Sequence, residues 1–401
     1  MSLTSILVSS FRRVLLHDKG APHVNRKDHN RFLSLMKREA MKHNGTVDDI
    51  VGYYTVPIRY AGMPYDLPFV HFVRRGCTYD LAGACIECNF GRGERVPDEQ
   101  LIARVSELVA LFRGSPAIYV TPSGSMFDDL EVPEHIRLEI ASLLRTAGFE
   151  FVATESRPEF LTEQKISKVR QVLGKDVELE IGLGLESVND WVRKNCINKM
   201  LSLDTFAEAV ELCHRCGATV YVHVLIKPPF LNEFEAIEDA IATATWAFEH
   251  GVDRLGFALT SVKRGTVTRW LALRGIYEPP TYWSVLRILL SLRYEWLSRV
   301  GLFGFDSSVP IEQPAANCPV CTPHIRSLLQ AFCYTKDEGY LRQAEAYPCR
   351  CKSAWLEDLR RPQLPLSHRV ARYHEELGRG IFGDDWWQVN GETVLTEIWE
   401  D

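Results

Sequence analysis

No run of about 18 or more apolar residues occurs in the 401-residue chain, which excludes an ordinary membrane-spanning helix. The start, Met1 to Leu16, is apolar but broken by Arg12 and Arg13. It lacks the basic region, apolar stretch and small-residue cleavage site of a secretory signal, so a cytoplasmic protein is expected. Positive charge is also short: 46 Lys and Arg against 52 Asp and Glu give a formal net charge of −6. Proteins that grip nucleic acid through its phosphates usually carry a basic excess, so this balance weighs against a nucleic-acid partner without forbidding a local basic patch. Eleven cysteines are too few for a disulfide scaffold, and the number is odd. No internal repeat or low-complexity segment is visible. What remains is an ordinary globular composition, 46% hydrophobic and 24% charged, long enough for a large core plus one or two smaller modules.

The cysteines are few but grouped, at 77, 85 and 88, at 196, 213 and 216, and five times between 318 and 351. Without a secretion signal, such groups read as metal or iron–sulfur ligands before disulfides. The middle group is the exception. Cys213 and Cys216 share a segment with Phe206, Ala209, Val210 and Leu212 at helical spacing, where cysteine usually packs as a small apolar residue.

Residues 1–65 read as an N-terminal extension with one helix, Asp28 to Lys42. From Val70 to Thr260, short apolar runs alternate with amphipathic helical stretches. The runs are Phe69–Val73, Pro116–Thr121, Phe149–Ala153, Val177–Leu185, Thr219–Ile226 and Arg254–Leu259. Six strands alternating with helices predict parallel βαβ units with right-handed crossovers. Gly148 and Gly217 stand just past helix ends, where glycine supplies a left-handed cap. The expected divisions are 1–65, 66–305 for the α/β unit, and 306–401 for a small Cys-rich C-terminal domain held by metal.

Cys77-Thr-Tyr-Asp-Leu-Ala-Gly-Ala-Cys85-Ile-Glu-Cys88 is a Cys-x7-Cys-x2-Cys loop directly after the first expected strand. Three close thiolates suit a [4Fe–4S] cluster, each holding one iron while the fourth iron stays open. Glycines at 76, 83, 91 and 93 let the backbone wrap a bulky inorganic core. Zinc is the alternative, but a structural zinc site needs a fourth ligand and this loop has no His.

A three-cysteine loop opening a six-unit βα array resembles the radical S-adenosylmethionine (SAM) superfamily. Thr121-Pro-Ser-Gly-Ser-Met-Phe127 ends the second strand, where that superfamily has a turn for the methionine amine. Thr154-Glu-Ser-Arg-Pro-Glu159 ends the third strand. Gly182-Leu-Gly-Leu-Glu-Ser187, with Asn189-Asp-Trp-Val-Arg and Ile197-Asn-Lys-Met, resembles a signature of its coproporphyrinogen-oxidase-like and elongator-like branch. Within that branch the chain is similar to the archaeosine-forming family. The likeness lies in Gly83-Ala84 before Cys85, the Ser-Gly-Ser turn, Glu-Ser-Arg-Pro-Glu, Gly-Leu-Glu-Ser, Lys-Pro-Pro-Phe-Leu, Lys263-Arg-Gly-Thr and the late Pro-Cys-x-Cys. It covers roughly residues 66–360. Glu87 departs from the apolar or aromatic residue usual before the third cysteine, and Lys199 from the usual Arg.

The resemblance implies an α/β fold, a partial (β/α)6 radical SAM barrel. Its implied cofactors are SAM and a [4Fe–4S] cluster on Cys77, Cys85 and Cys88. Ligands of parallel α/β folds gather at the carboxyl ends of strands, where all these motifs fall. Ser123, Gly124 and Ser125 are the candidates for the SAM amine, Glu186 for the ribose hydroxyls and Lys199 for the methionyl carboxylate. Glu155 and Arg157 are further candidates for contact with cofactor or substrate. The bland readings are a helix-end acid for Glu186, a solvated cation for Lys199 and structural ion pairing for Glu155 and Arg157. No general acid or base stands out.

Cys318-Pro-Val-Cys321 and Cys349-Arg-Cys351 suit a second metal site, read here as an auxiliary [4Fe–4S] cluster with zinc as the alternative. Because Cys349 and Cys351 are so close, one is a candidate spectator. Cys333 shares a helix with Leu328, Leu329 and Phe332 and is expected to pack. The functional expectation is a radical SAM enzyme with an external one-electron donor. A 5′-deoxyadenosyl radical would take hydrogen from a small molecule, with a nucleotide among the candidates, and the auxiliary cluster would donate sulfur. The alternative is carbon–nitrogen lysis of a lysine-modified deazaguanine base in tRNA. A metal-binding interaction protein without catalysis is the reading from another class.

Overall fold

A computed structural model describes residues 30–42, 51–89, 96–122, 124–305 and 311–399. Ten strands run through the described residues: β1 (Val51–Tyr60), β2 (Met63–Phe72), β3 (Ala117–Pro122), β4 (Phe151–Ser156), β5 (Glu178–Glu186), β6 (Thr219–Ile226), β7 (Arg254–Leu259), β8 (Val262–Lys263), β9 (Val300–Phe303) and β10 (Ile311–Gln313). Eight of them form one sheet in the order β1-β2-β3-β4-β5-β6-β7-β9, while β8 and β10 make a small antiparallel pair. From β2 to β9 every neighbour is parallel, as helical crossovers require. The fold is an α/β partial barrel, and β2 to β7 are the six strands expected from the apolar runs.

The two outer strands escape the sequence pattern. β1 pairs antiparallel with β2 and falls within the expected N-terminal extension. It carries Pro57, which argues against a strand in the middle of a sheet but is tolerated at an edge. Ala61 and Gly62 join the two strands with φ of 48° and 80°, the left-handed pair that a two-residue hairpin turn demands. β9 is only four residues long, too short to read as a strand beside Gly301 and Gly304.

Alternation along the strands separates two cores. Outward residues such as Val70, Ile118, Val152, Ile181, Val222 and Phe257 pack under the helices. Inward, Phe69 stacks between Tyr54 (ring centroids 4.7 Å apart) and Tyr119 (4.4 Å). Beside these rings, Arg254 grips Glu180 through two hydrogen bonds of 2.7 and 2.5 Å and lies over Phe151 and Tyr221. These groups fill one end of the barrel. The other end, at the strand C-termini, is open.

The open seam of the barrel is covered by helix Thr322–Thr335, which packs on β1, β2 and β9. Arg59 donates to the Thr335 carbonyl (3.1 Å), Tyr334 to Asp66 (2.5 Å), and Lys336 to the Val300 carbonyl (2.7 Å). A third apolar cluster joins opposite parts of the sequence. Phe32, Leu33 and Met36 of helix Arg31–Met41 pack with Val370 and Leu377 of Leu366–Phe382 and with Trp386, Trp387 and Ile398 of Asp384–Trp399. Among the described residues no helix is long and apolar enough to cross a membrane.

Candidate functional site

Cys77 caps the short helix Thr78–Ala82, and Gly83 ends it in the left-handed conformation (φ 92°). A Cβ at Gly83 would stand 2.8 Å from the Ser34 carbonyl oxygen, so the turn also depends on close approach to helix Arg31–Met41. The chain then turns back through Cys85 (φ 52°). This shape is held from outside. After β5, a helical turn widens to π geometry over Arg193–Ile197 and ends in left-handed Asn198. The backbone N–H groups of Cys85 and Ile86 donate to the Asn198 and Ile197 carbonyls (3.3 and 3.0 Å), and the Asn198 side chain donates to the Gly83 carbonyl (2.8 Å) and to Ser34 Oγ (3.0 Å). Lys37, fully buried, pairs with Asp80 at 2.7 Å and donates to the Cys88 carbonyl. Helix Arg31–Met41, which showed no chemical signal in the sequence, thus braces the cysteine loop.

Glu131 ties that loop to the turn after β3. One carboxylate oxygen accepts from the Thr78 N–H (2.9 Å) and the other from the Ser125 N–H (2.6 Å). Burial pushes this carboxyl up to about 7. A Cβ on Gly124 would collide with the same carboxylate, so the turn requires glycine there. Ser123, a candidate from the sequence, lies outside the described residues. Ser125 is buried and its Oγ accepts from the Arg157 N–H (3.1 Å).

Cys77, Cys85 and Cys88 line one cavity of about 310 Å³ at the open end of the barrel, together with Gly124, Ser125, Glu155, Glu186 and Lys199. Burial raises all three thiols, Cys88 to about 11, so their thiolate forms call for a bound cation. Glu87, also on the cavity, is raised by burial to about 7. Glu186 ends β5 in the left-handed region (φ 67°), beside an irregularity in the β5–β6 pairing, and Lys199 meets it at 2.8 Å. Both were expected to face a ligand separately; they line the cavity while paired with each other. Gly184 leaves room for the pair, since a Cβ there would strike both charged groups. Glu155 sits among His223 (3.1 Å), Tyr119 (3.0 Å) and Thr121 (3.4 Å). Burial alone would lower His223, but the Glu155 carboxylate outweighs it and raises the imidazole above its ordinary value. Arg157 is built into the wall, 3.4 Å above the Tyr79 ring and bonded to Glu159 at 2.6 Å.

Cys318, Cys321, Cys349 and Cys351 converge elsewhere. Cys321 and Cys349 cap helices Thr322–Thr335 and Arg350–Leu359, and all four sulfurs lie within 4.8 Å of one another. Neither Cys349 nor Cys351 stands apart as a spectator. None of the four lines the cavity of the first loop. Cys333 is fully buried in the core, as are Cys196 and Cys213. His324 lies against Tyr347 with the rings tilted by 37° (ring centroids 4.7 Å apart).

Glu131 and Lys37 had no sequence signal, because each acts on backbone groups that only the fold brings near. For Asn198 the one hint was its place in Ile197-Asn-Lys-Met.

No family model matches the chain. It is 32% identical over 294 residues to the uncharacterised protein MJ0550 of Methanocaldococcus jannaschii, a match covering 70% of this chain and 78% of that one. It is 28% identical over 296 residues to the archaeosine synthase subunit beta of Methanosarcina acetivorans, covering 72% and 84%. Among solved structures it is similar to Elp3 of Methanocaldococcus infernus, with 17% identity and a TM-score of 0.44 over 63% of this chain and 60% of that one.

Proposed function

The chain belongs to the radical SAM superfamily and, within it, to the family of the Methanocaldococcus jannaschii and Methanosarcina acetivorans proteins, and on that premise we propose that it cleaves a carbon–nitrogen bond in a lysine-modified deazaguanine base of tRNA. One observation carries the reading: three raised thiols from a single loop, the Ser125 turn and the Glu186–Lys199 pair all face one cavity. That donor set fits the superfamily's two cofactors. Cys77, Cys85 and Cys88 would hold the [4Fe–4S] cluster and leave one iron for SAM. The Gly124–Ser125 turn, Glu186 and Lys199 would take the amine, ribose and carboxylate of SAM. When bound, the cofactor pair supplies one-electron reduction and a carbon-centred radical that removes hydrogen from a substrate carbon.

The protein's own contribution is orientation and shelter. Glu131 fixes the cysteine loop against the Ser125 turn, one carboxylate oxygen bonded to each half of the site. The Glu155–His223 pair offers hydrogen-bonding groups to a substrate from the same cavity. A net charge of −6 offers little general attraction for RNA, so we assign much of the tRNA contact to a partner. The word "subunit" in the name of the Methanosarcina acetivorans relative supports a partner chain. Sulfur insertion into a small molecule or nucleotide is favoured less, because that chemistry needs a sulfur source facing the cavity and the four later thiols do not line it.

Reduced protein incubated with SAM and tRNA bearing the lysine-modified base tests the proposal. The expected result is release of 5′-deoxyadenosine matched by loss of the lysine side chain's mass from the tRNA. Release of 5′-deoxyadenosine with the tRNA unchanged, in the presence of the partner subunit, would overturn the lyase assignment and leave the superfamily assignment intact.

A further inference from the structure

We propose that Cys318, Cys321, Cys349 and Cys351 hold a single tetrahedral zinc ion rather than a second iron–sulfur cluster. Sulfur spacing decides between them. Neighbouring sulfurs stand 3.7 Å apart (Cys318–Cys321), 3.5 Å (Cys318–Cys349), 3.5 Å (Cys321–Cys351) and 3.4 Å (Cys349–Cys351), and no pair exceeds 4.8 Å. A zinc ion with Zn–S bonds of about 2.3 Å sets the edges of its thiolate tetrahedron at about 3.8 Å. A cubane gives each thiolate its own iron on a separate corner, which drives the sulfurs apart to roughly 6 Å. The cage seen here admits one ion and has no room for a cube. Among the described residues, Cys77, Cys85 and Cys88 form no such tight group, so the two centres are built to different sizes.

The surroundings suit a closed thiolate site. Four thiolates complete the tetrahedron and leave no vertex for substrate or water, the mark of a structural zinc. Trp283 donates its indole N–H to Cys351 Sγ at 3.2 Å, a contact that tempers the charge of a bound thiolate. Cys321 and Cys349 each start a helix of ten or more residues, and both helix N-termini favour negative charge at the cage. A second contact, from Trp355 to Ser284 (2.9 Å), fastens the Cys349–Cys351 helix to the helix Tyr282–Ser291 that carries Trp283.

Metal analysis of the anaerobically prepared full chain tests this without recourse to activity. The expected content is about four irons and about one zinc per chain. The combined variant Cys77→Ala, Cys85→Ala, Cys88→Ala should lose the iron and keep the zinc. Cys318→Ser with Cys321→Ser should lose the zinc; should that variant fail to fold, cobalt loaded into the Ala variant replaces it as the readout. Cobalt should then show the strong visible bands of a tetrahedral tetrathiolate. About eight irons per chain, a single iron in the Ala variant, or weak octahedral cobalt bands would each overturn the assignment.

Discussion

Glu186 and Lys199 share one hydrogen bond at 2.8 Å while both face the cavity, so the pair presents an acceptor and a donor to a polar ligand. Glu186→Ala removes a partly buried acceptor and should weaken SAM binding by about 1–3 kcal/mol. Equilibrium binding would read this as a roughly 5- to 150-fold rise in Kd, with iron content unchanged. Unaltered affinity would reduce Glu186 to a partner for Lys199. Asn198 works differently, since its side chain holds the Gly83 carbonyl and Ser34 rather than a ligand. Asn198→Ala should cost about 1–3 kcal/mol of stability and lower the iron retained per chain, checked by denaturant titration and metal analysis. The contrast explains what was legible. Cysteines at fixed spacing announce their chemistry because ligation needs a particular atom type. A residue that binds backbone carbonyls can be replaced in principle by many others, so its identity carries no signal until the loop it braces is seen.

Helix Arg31–Met41 shows the same limit one level up. Its apolar stripe predicts burial but not against what, and the answer lies more than 300 residues later. His374 marks that contact, between Phe32 (ring centroids 4.8 Å apart) and Phe230 (5.7 Å), with no hydrogen-bond partner for either ring nitrogen among the described residues. Burial lowers it to about 3, so the folded protein keeps it neutral while the unfolded chain takes up a proton below about 6.5. The stability it supplies is therefore whole above pH 6.5 and drains away as pH falls toward 3. By pH 4 the loss should be on the order of 3 kcal/mol, and His374→Phe should flatten that part of the stability–pH curve. Denaturation midpoints measured between pH 4 and 7 would show it; parallel curves for the two proteins would refute it. The strands tell a complementary story. β2 to β7 were readable because each is an apolar run between helices, whereas β1, with its Pro57, and the four-residue β9 owe their existence to neighbours already in place.

On the scale of the whole molecule, the four late cysteines and the barrel seam are mechanically linked. Helix Thr322–Thr335 begins at Cys321 and ends in the hydrogen bonds that fasten β1, β2 and β9. Stripping the ion from that cage with a chelator should loosen the seam before the cysteine loop. Hydrogen exchange would then rise first in Val51–Tyr60 and Val300–Phe303, and protection unchanged there would show the helix to be held without metal. The meeting of helices Arg31–Met41 and Asp384–Trp399 bears on timing as well as stability. Lys37 reaches the Cys88 carbonyl from a helix whose other face is covered by Trp386, Trp387 and Ile398. A ribosome makes the cysteine loop roughly 300 residues before those tryptophans. The loop's contacts with Glu131 and Asn198 become available well before then, whereas the helix that presents Lys37 gains its tryptophan cover only at the end of that interval.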